Sequence, residues 1–175
     1  ELENVLQSID YEIETKKFLI SKKVSNKYTC IPDLIIDKII FYTYTYYFTS
    51  RNELRAALEK YPDNIDKYGN IYNWNVSMIT DMSYLFVDLN FNIEIDISNW
   101  DVSNVKTMHS MFSGSKFWNN HLSNWNVSNV ENMKDMFNYC CKFNQPLNNW
   151  NVSNVANMFG MFRECEKFNK PLNNW

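Results

Sequence analysis

The sequence predicts an α/β fold, a right-handed solenoid of strand–helix units of about 25 residues behind an N-terminal, mainly helical cap. Three observations lead there. Trp74, Trp100, Trp125, Trp150 and Trp175 stand 26, 25, 25 and 25 residues apart. The residues between them keep phase: Val76, Val102, Val127 and Val152 at +2, and Ser77, Ser103, Ser128 and Ser153 at +3. Met82, Met108, Met133 and Met158 follow at +8, Leu85, Met111, Met136 and Met161 at +11, and Phe86, Phe112, Phe137 and Phe162 at +12. The third observation is a well-formed helix start just upstream of the first unit.

Residues 1–47 are the least legible stretch. Leu2, Val5, Leu6, Ile9 and Ile13 have helical spacing, while Tyr11, Ile13 and Thr15 alternate as a strand would. The basic run from Lys16 to Lys27 reads as a solvated face. Residues 41–48 alternate and are rich in strand formers, which predicts a short strand or extended segment. Residues 48–72 read as a capping helix and turn. Ser50 and Glu53 form an S-x-x-E capping box; Leu54, Ala57, Leu58 and Tyr61 line one face, and Pro62 stops the helix.

Residues 73–175 hold four units and the start of a fifth. Leu at +22, Trp and Val+2 give L-x-x-W-x-V, a leucine-rich-repeat strand pattern with Trp and Val on the inner side. Met+8, Met+11, Phe+12 and Cys+15 recur at i, i+3, i+4, i+7, the stripe of an amphipathic helix. The expected core is therefore Trp74, Trp100, Trp125, Trp150, Met108, Met111, Phe112, Met133, Met136, Phe137, Met158, Met161 and Phe162. Trp125 and Trp150 are expected to touch their equivalents in the units on either side. The first unit departs from the others, with an extra residue in its loop 92–96 and Leu85 and Leu89 in place of Met and Cys.

The run N-W-[ND]-V-S-N-V-x-x-M-x-x-M-F-x-x-[CS]-x-x-[FW]-N-x-x-L-N resembles the BspA-like leucine-rich-repeat proteins, also known as a mycoplasma-type domain of unknown function. The resemblance spans residues 48–175. It implies a structural repeat of bacterial surface proteins, marine protists and giant DNA viruses, associated with adhesion or protein interaction and without catalytic residues. A fainter similarity links Ile31-Pro32-Asp33-Leu34-Ile35-Ile36-Asp37-Lys38-Ile39-Ile40 to the opening of an F-box, though Leu34 stands where that module has Glu. A Pro-initiated helix packed on the cap is the simpler account of that segment.

Composition narrows the function classes. A net charge of −3 and pI near 5.4 give no basic face for nucleic acid. No run of 18 apolar residues predicts a transmembrane segment, and no signal peptide is visible. Asn, Lys, Ile and Tyr are abundant, and among the sources the resemblance implies, their A/T-rich codons lean towards a giant virus of protists, with mycoplasma the runner-up. His109 and His121 lack partners at ligand spacing, and Cys30, Cys140, Cys141 and Cys165 form no CxxC, so neither a metal nor a cofactor is expected. No G-x-S-x-G or phosphate loop is present, which points away from an enzyme and a small-molecule substrate. Sequons at Asn75, Asn126 and Asn151 share one repeat position, for which a structural cause suffices. Cys140 and Cys165 read as small buried residues too far apart to bridge if they lie on neighbouring helices, and Cys141 as the exposed thiol.

The outward strand positions read Asn73-Asn75-Ser77, Asn99-Asp101-Ser103, Asn124-Asn126-Ser128 and Asn149-Asn151-Ser153. Their constancy is expected to reflect Asn side chains hydrogen-bonded from rung to rung. Variation concentrates at Tyr84, Lys106, His109, Glu131, Lys134, Asp135 and Phe159, the candidate surface for a protein partner. The expectation is a non-catalytic structural or protein–protein interaction module of a giant virus, in the virion or host cytoplasm. Alternatives are a cell-surface adhesin fragment and an F-box-like adaptor for ubiquitin ligation.

Overall fold

Ser50 starts a helix because its hydroxyl accepts the Glu53 amide at 3.2 Å, satisfying a donor that the helix itself cannot use. The Glu53 carboxylate turns back to the Thr49 amide and the Tyr46 hydroxyl. Helix α1 runs Arg51–Glu59 and buries Leu54, Ala57 and Leu58. A short α2, Ile65–Tyr68, and a 3₁₀ turn, Ile71–Asn73, deliver the chain to the first unit. These elements belong to a computed structural model that describes residues 45–89, 95–116 and 118–175. The chain divides into two compact units, Glu1–Tyr44 and Thr45–Trp175. The expectations for residues 1–44, including the F-box-like segment 31–40, lie outside the described residues, as does most of the loop 92–96.

The strand–helix solenoid with a mainly helical cap is not what forms, and this corrects the fold class. Among the described residues, helix is limited to α1, α2 and the 3₁₀ turn. Strand among these residues is reduced to isolated parallel bridges, Tyr47↔Asn75, Asp81↔Thr107, Thr107↔Asn132 and Asn132↔Asn157, and they form no sheet. The L-x-x-W-x-V segment is a pair of tight turns, since the Trp125 amide donates to Leu122 and the Val130 amide to Val127.

The apolar stripe is made of turns as well, for a definite reason. Two residues per unit, at +10 and +14, have left-handed backbone: Tyr84 and Asp88, Ser110 and Gly114, Asp135 and Tyr139, Gly160 and Glu164. An α-helix cannot pass through such residues. Each one closes a turn of i→i−3 hydrogen bonds, such as Met111 to Met108 and Ser115 to Phe112. A chain that turns every four residues returns its side chains to one face nearly as a period of 3.6 does. Over two turns the two periods cannot be told apart from sequence.

These turns leave the backbone polarised. Met108, Ser110, Phe112 and Gly114 donate their N–H groups to the carbonyls of Asn132, Lys134, Met136 and Asn138, at 2.8–2.9 Å. Met133, Asp135, Phe137 and Tyr139 donate likewise to Asn157, Phe159, Met161 and Arg163. Throughout this stretch N–H groups face the following unit and carbonyls the preceding one. Aromatic columns stack between the ladders: Phe86 on Phe112 at 5.0 Å, Phe112 on Phe137 at 5.5 Å, and Phe137 on Phe162 at 5.7 Å. Trp74 stacks on Trp100 and Trp150 on Trp175. From Trp100 on, these indole N–H groups reach back to the residue three before the previous repeat Trp, Trp100 to the Ile71 carbonyl, Trp125 to Ile97, Trp150 to Leu122 and Trp175 to Leu147.

Unit 1 has no unit before it among the described residues, and α1 supplies the donors instead. Arg51 Nη1 lies 3.1 Å from the Ser83 carbonyl, and Arg55 Nη1 lies 3.2, 3.0 and 2.7 Å from those of Tyr84, Leu85 and Val87. Ser83 and Leu85 are the equivalents of His109 and Met111, whose carbonyls accept amides from unit 1. Beside them, Asn75 exchanges hydrogen bonds with Tyr46 and Phe48, seating Phe48 against Trp74.

Candidate functional site

The surface columns separate into positions consumed by the fold and positions left free. At +1, Asn75, Asp101, Asn126 and Asn151 each accept the amide two residues on with their own Oδ1, at 3.0–3.2 Å. This Asx turn makes Asn or Asp the natural occupant. At +1 it corrects the expectation of side chains bonded from rung to rung, since these close their own turns, whereas at −1 Asn99 does reach back, donating Nδ2 to the Tyr72 carbonyl at 3.5 Å. The links between units come from other asparagines. Asn104, Asn129 and Asn154 donate Nδ2 to the carbonyls of Ser77, Ser103 and Ser128 at 2.7–2.8 Å. Asn119 and Asn144 accept the amides of Asn144 and Asn169 at 2.8 and 3.0 Å. The three sequon asparagines are all at the Asx-turn position, so their shared repeat position has a structural cause.

Of the residues singled out as core, Trp74, Trp100, Trp125, Trp150, Met108, Met111, Phe112, Met133, Met136, Phe137 and Met161 are buried. Met158 and Phe162, in the last unit, are half-buried. Cys140 is buried and Cys141 and Cys165 are half-buried; all three are free thiols. The argument from helix separation does not apply, because the units are not helices. Instead each stacked thiol donates to the carbonyl one unit back, Cys140 to Phe112 at 3.0 Å and Cys165 to Phe137 at 2.9 Å. Burial pushes both thiols up, Cys165 to about 11 and Cys140 further.

The candidate partner positions sit along one flank. The +9 column runs Ser83, His109, Lys134, Phe159, and Phe159 is 70% exposed. His109 Nδ1 donates to the Lys134 carbonyl at 2.9 Å, so in the neutral ring Nε2 accepts from the Tyr84 hydroxyl at 2.5 Å. The Tyr84 ring meets His109 edge-on at 4.8 Å. Lys106 and Glu131, both exposed, pair at 3.4 Å, and Asp135 is half-buried beside Gly160. Sequence reasoning did not anticipate the roles of Arg51 and Arg55. With Ser83, Tyr84, Leu85, Val87 and Asp88 they line an open cavity of about 230 Å³. Their i, i+4 spacing on α1 places them on one helix face, but no pattern in the sequence names the carbonyls they meet.

Among the described residues, no group of three or more His, Cys, Asp or Glu side chains is placed to hold a metal ion. No described helix is long and apolar enough to cross a membrane.

Tandem units joined by backbone ladders, with a +9 column that changes from unit to unit, define a chain built of repeated units. Residues 53–175 match the family described as Mycoplasma protein of unknown function, DUF285, and the chain belongs to that family. Neither a curated protein nor a solved structure gives a significant match.

Proposed function

We propose that this chain is a non-catalytic structural or protein–protein interaction module of a giant DNA virus, acting in the virion or the host cytoplasm. The resemblance to BspA-like proteins supports the interaction role, and the Asn, Lys, Ile and Tyr bias supports the viral source. One observation carries the reading. The constant asparagines close turns or link units, whereas the +9 column changes from Ser83 to His109, Lys134 and Phe159 and ends on an exposed aromatic ring. Large exposed aromatics with neighbouring charge are the side chains that anchor protein interfaces.

The experiment places a photo-crosslinking amino acid at position 159, and as a control at position 126, in extracts of the source cells. A protein captured at 159, absent at 126 and lost on Lys134→Glu is the expected result. Equal capture at both positions, or none at either, refutes the assignment of the flank.

A further inference from the structure

We propose that the face formed by repeat positions −2 to +4 binds an uncharged β-1,4-linked glycan whose sugars carry N-acetyl groups, at a site separate from the +9 flank. The Asx turns of this face commit only an acceptor. Asn75, Asn126 and Asn151 use Oδ1 for the amide two residues on, and their Nδ2 groups, with two N–H donors each, meet no acceptor among the described residues. Asn126 and Asn151 are exposed and Asn75 is half-buried. In the same column Asp101 holds its turn with Oδ1 and keeps Oδ2 as an acceptor. Parallel bridges join the units, and rungs paired in this way lie about 4.8 Å apart. The column therefore reads donor, acceptor, donor, donor at even steps.

The unit 1 end of the face is apolar. Tyr47, Tyr72 and Met78 are 42, 42 and 60% exposed. Tyr72 stands at −2 and Met78 at +4 of unit 1, and Tyr47 pairs with Asn75 in a parallel bridge, at the head of the +1 column. Further along, Ser98, Ser123 and Asn148 fill the −2 column and Asn104, Asn129 and Asn154 the +4 column. Aromatic rings beside directed amides suit a pyranose, whose C–H face packs on an aromatic while its edge takes hydrogen bonds.

Charge and spacing select among polymers. Positions −2 to +4 of the four units hold no Lys or Arg, and Asp101 is their only ionised residue, so a sulfated, phosphorylated or carboxylated chain meets no countercharge. An extended peptide repeats its carbonyls on one side every two residues, about 6.6 Å, and slips out of register with the rungs. In a β-1,4-linked chain of N-acetylated sugars each ring is rotated half a turn from the last and advances by about one rung. One edge of that chain alternates an acetamido carbonyl with a hydroxymethyl group. It meets Asn75, Asp101 and Asn126 in turn with acceptor, donor and acceptor.

The test titrates the full 175-residue chain with N-acetylchitohexaose and follows it by NMR. The expected result is that the side-chain amides of Asn75 and Asn126 and the rings of Tyr47 and Tyr72 shift, while the +9 residues stay still. Asn126→Asp removes the Nδ2 donors and keeps the turn, as Asp101 does in unit 2. It should leave the urea midpoint unchanged and weaken binding by about fivefold or more. Tyr47→Ala should weaken binding to a similar extent, and Lys142→Ala, off this face, should leave it alone. Cellohexaose, with the same linkage but no acetamido groups, should bind more weakly than the N-acetylated hexamer. No shifts at millimolar hexamer, shifts centred on the +9 column, or undiminished binding by Asn126→Asp overturn the proposal. Equal affinity for cellohexaose, or for an unstructured Gly-Ser peptide of similar length, overturns it too.

Discussion

Arg55→Met should destabilise the protein by about 2 kcal/mol, because it strips donors from a row of carbonyls with no other supply. Arg55 Nη1 carries two N–H groups and lies within 3.2 Å of the Tyr84, Leu85 and Val87 oxygens. Two well-directed bonds are the most it can form at once. A hydrogen bond from a charged donor contributes about 1.5–3 kcal/mol when buried. The side chain is 27% exposed, so water can replace part of that, and the sum falls to about 2 kcal/mol. Met keeps the apolar stem against the protein, which isolates the guanidinium. Arg55→Lys should recover about half, since an ammonium cannot span separate carbonyls as the planar fork does. The exposed Arg55–Glu59 pair at 2.8 Å is a separate contribution of roughly 0.3–0.5 kcal/mol, so Glu59→Gln serves as its control. Urea unfolding followed by tryptophan fluorescence gives both numbers, provided the m-value is unchanged. The reasoning fails if Arg55→Met lies within 0.5 kcal/mol of wild type, or if Glu59→Gln costs as much.

Trp125→Ala should cost about 3–5 kcal/mol, and Trp175→Ala, half-buried with an equivalent indole bond, roughly half of that; equal losses in thermal melts would contradict the packing described. Gly160 has φ +67°, and a Cβ there would run into the Asp135 carboxylate, whereas at Gly114 (φ +77°) it would meet nothing within 4 Å. Gly160→Ala should therefore exceed the backbone strain of about 1–2 kcal/mol that Gly114→Ala shows, and the reverse order in chemical denaturation would overturn this. With iodoacetamide at pH 8, peptide mapping of the three described cysteines should show Cys141 alkylated first, Cys165 slowly and Cys140 only on unfolding. Burial favours the neutral thiol, so the Cys165 rate should keep climbing as pH rises towards about 11. Native labelling of Cys140 as fast as Cys141 would count against the buried placement.

The positions of the repeats and of their apolar residues were legible because burial depends on spacing alone. The Met and Phe stripe and the Trp column could be read without knowing the backbone. The backbone was not legible, and the cause is specific. Left-handed residues are usually signalled by Gly or Asn, but here Tyr84, Ser110 and Asp135 share the +10 column with Gly160. Three non-glycine residues concealed what the fourth would have revealed. At +14 Gly114 is again one of four, beside Asp88, Tyr139 and Glu164. The Asn columns were noticed for their constancy, but side-chain amides can serve their own turn or the neighbouring unit, and composition does not choose. The structure uses both, Asn126 for its own turn and Asn129 for the unit before it.

That division bears on how a surface in such a protein should be read for function. An invariant polar residue on an exposed face invites a ligand, yet the constant residues here are already committed. Asn126 Oδ1 holds the Ser128 amide, Asn129 Nδ2 holds the Ser103 carbonyl, and Asn144 Oδ1 holds the Asn169 amide. A partner using those atoms would have to break bonds that set the turn and join the units, and each such group left without water or partner costs about 1–3 kcal/mol. Phe159, the exposed member of the +9 flank, carries no such cost. Phe159 keeps its backbone in the ladder through the Asp135 amide while its ring stands in solvent, so substitution there alters recognition without loosening the stack. A backbone that turns at fixed positions and bonds through its own amides thus leaves the flank free to vary from unit to unit.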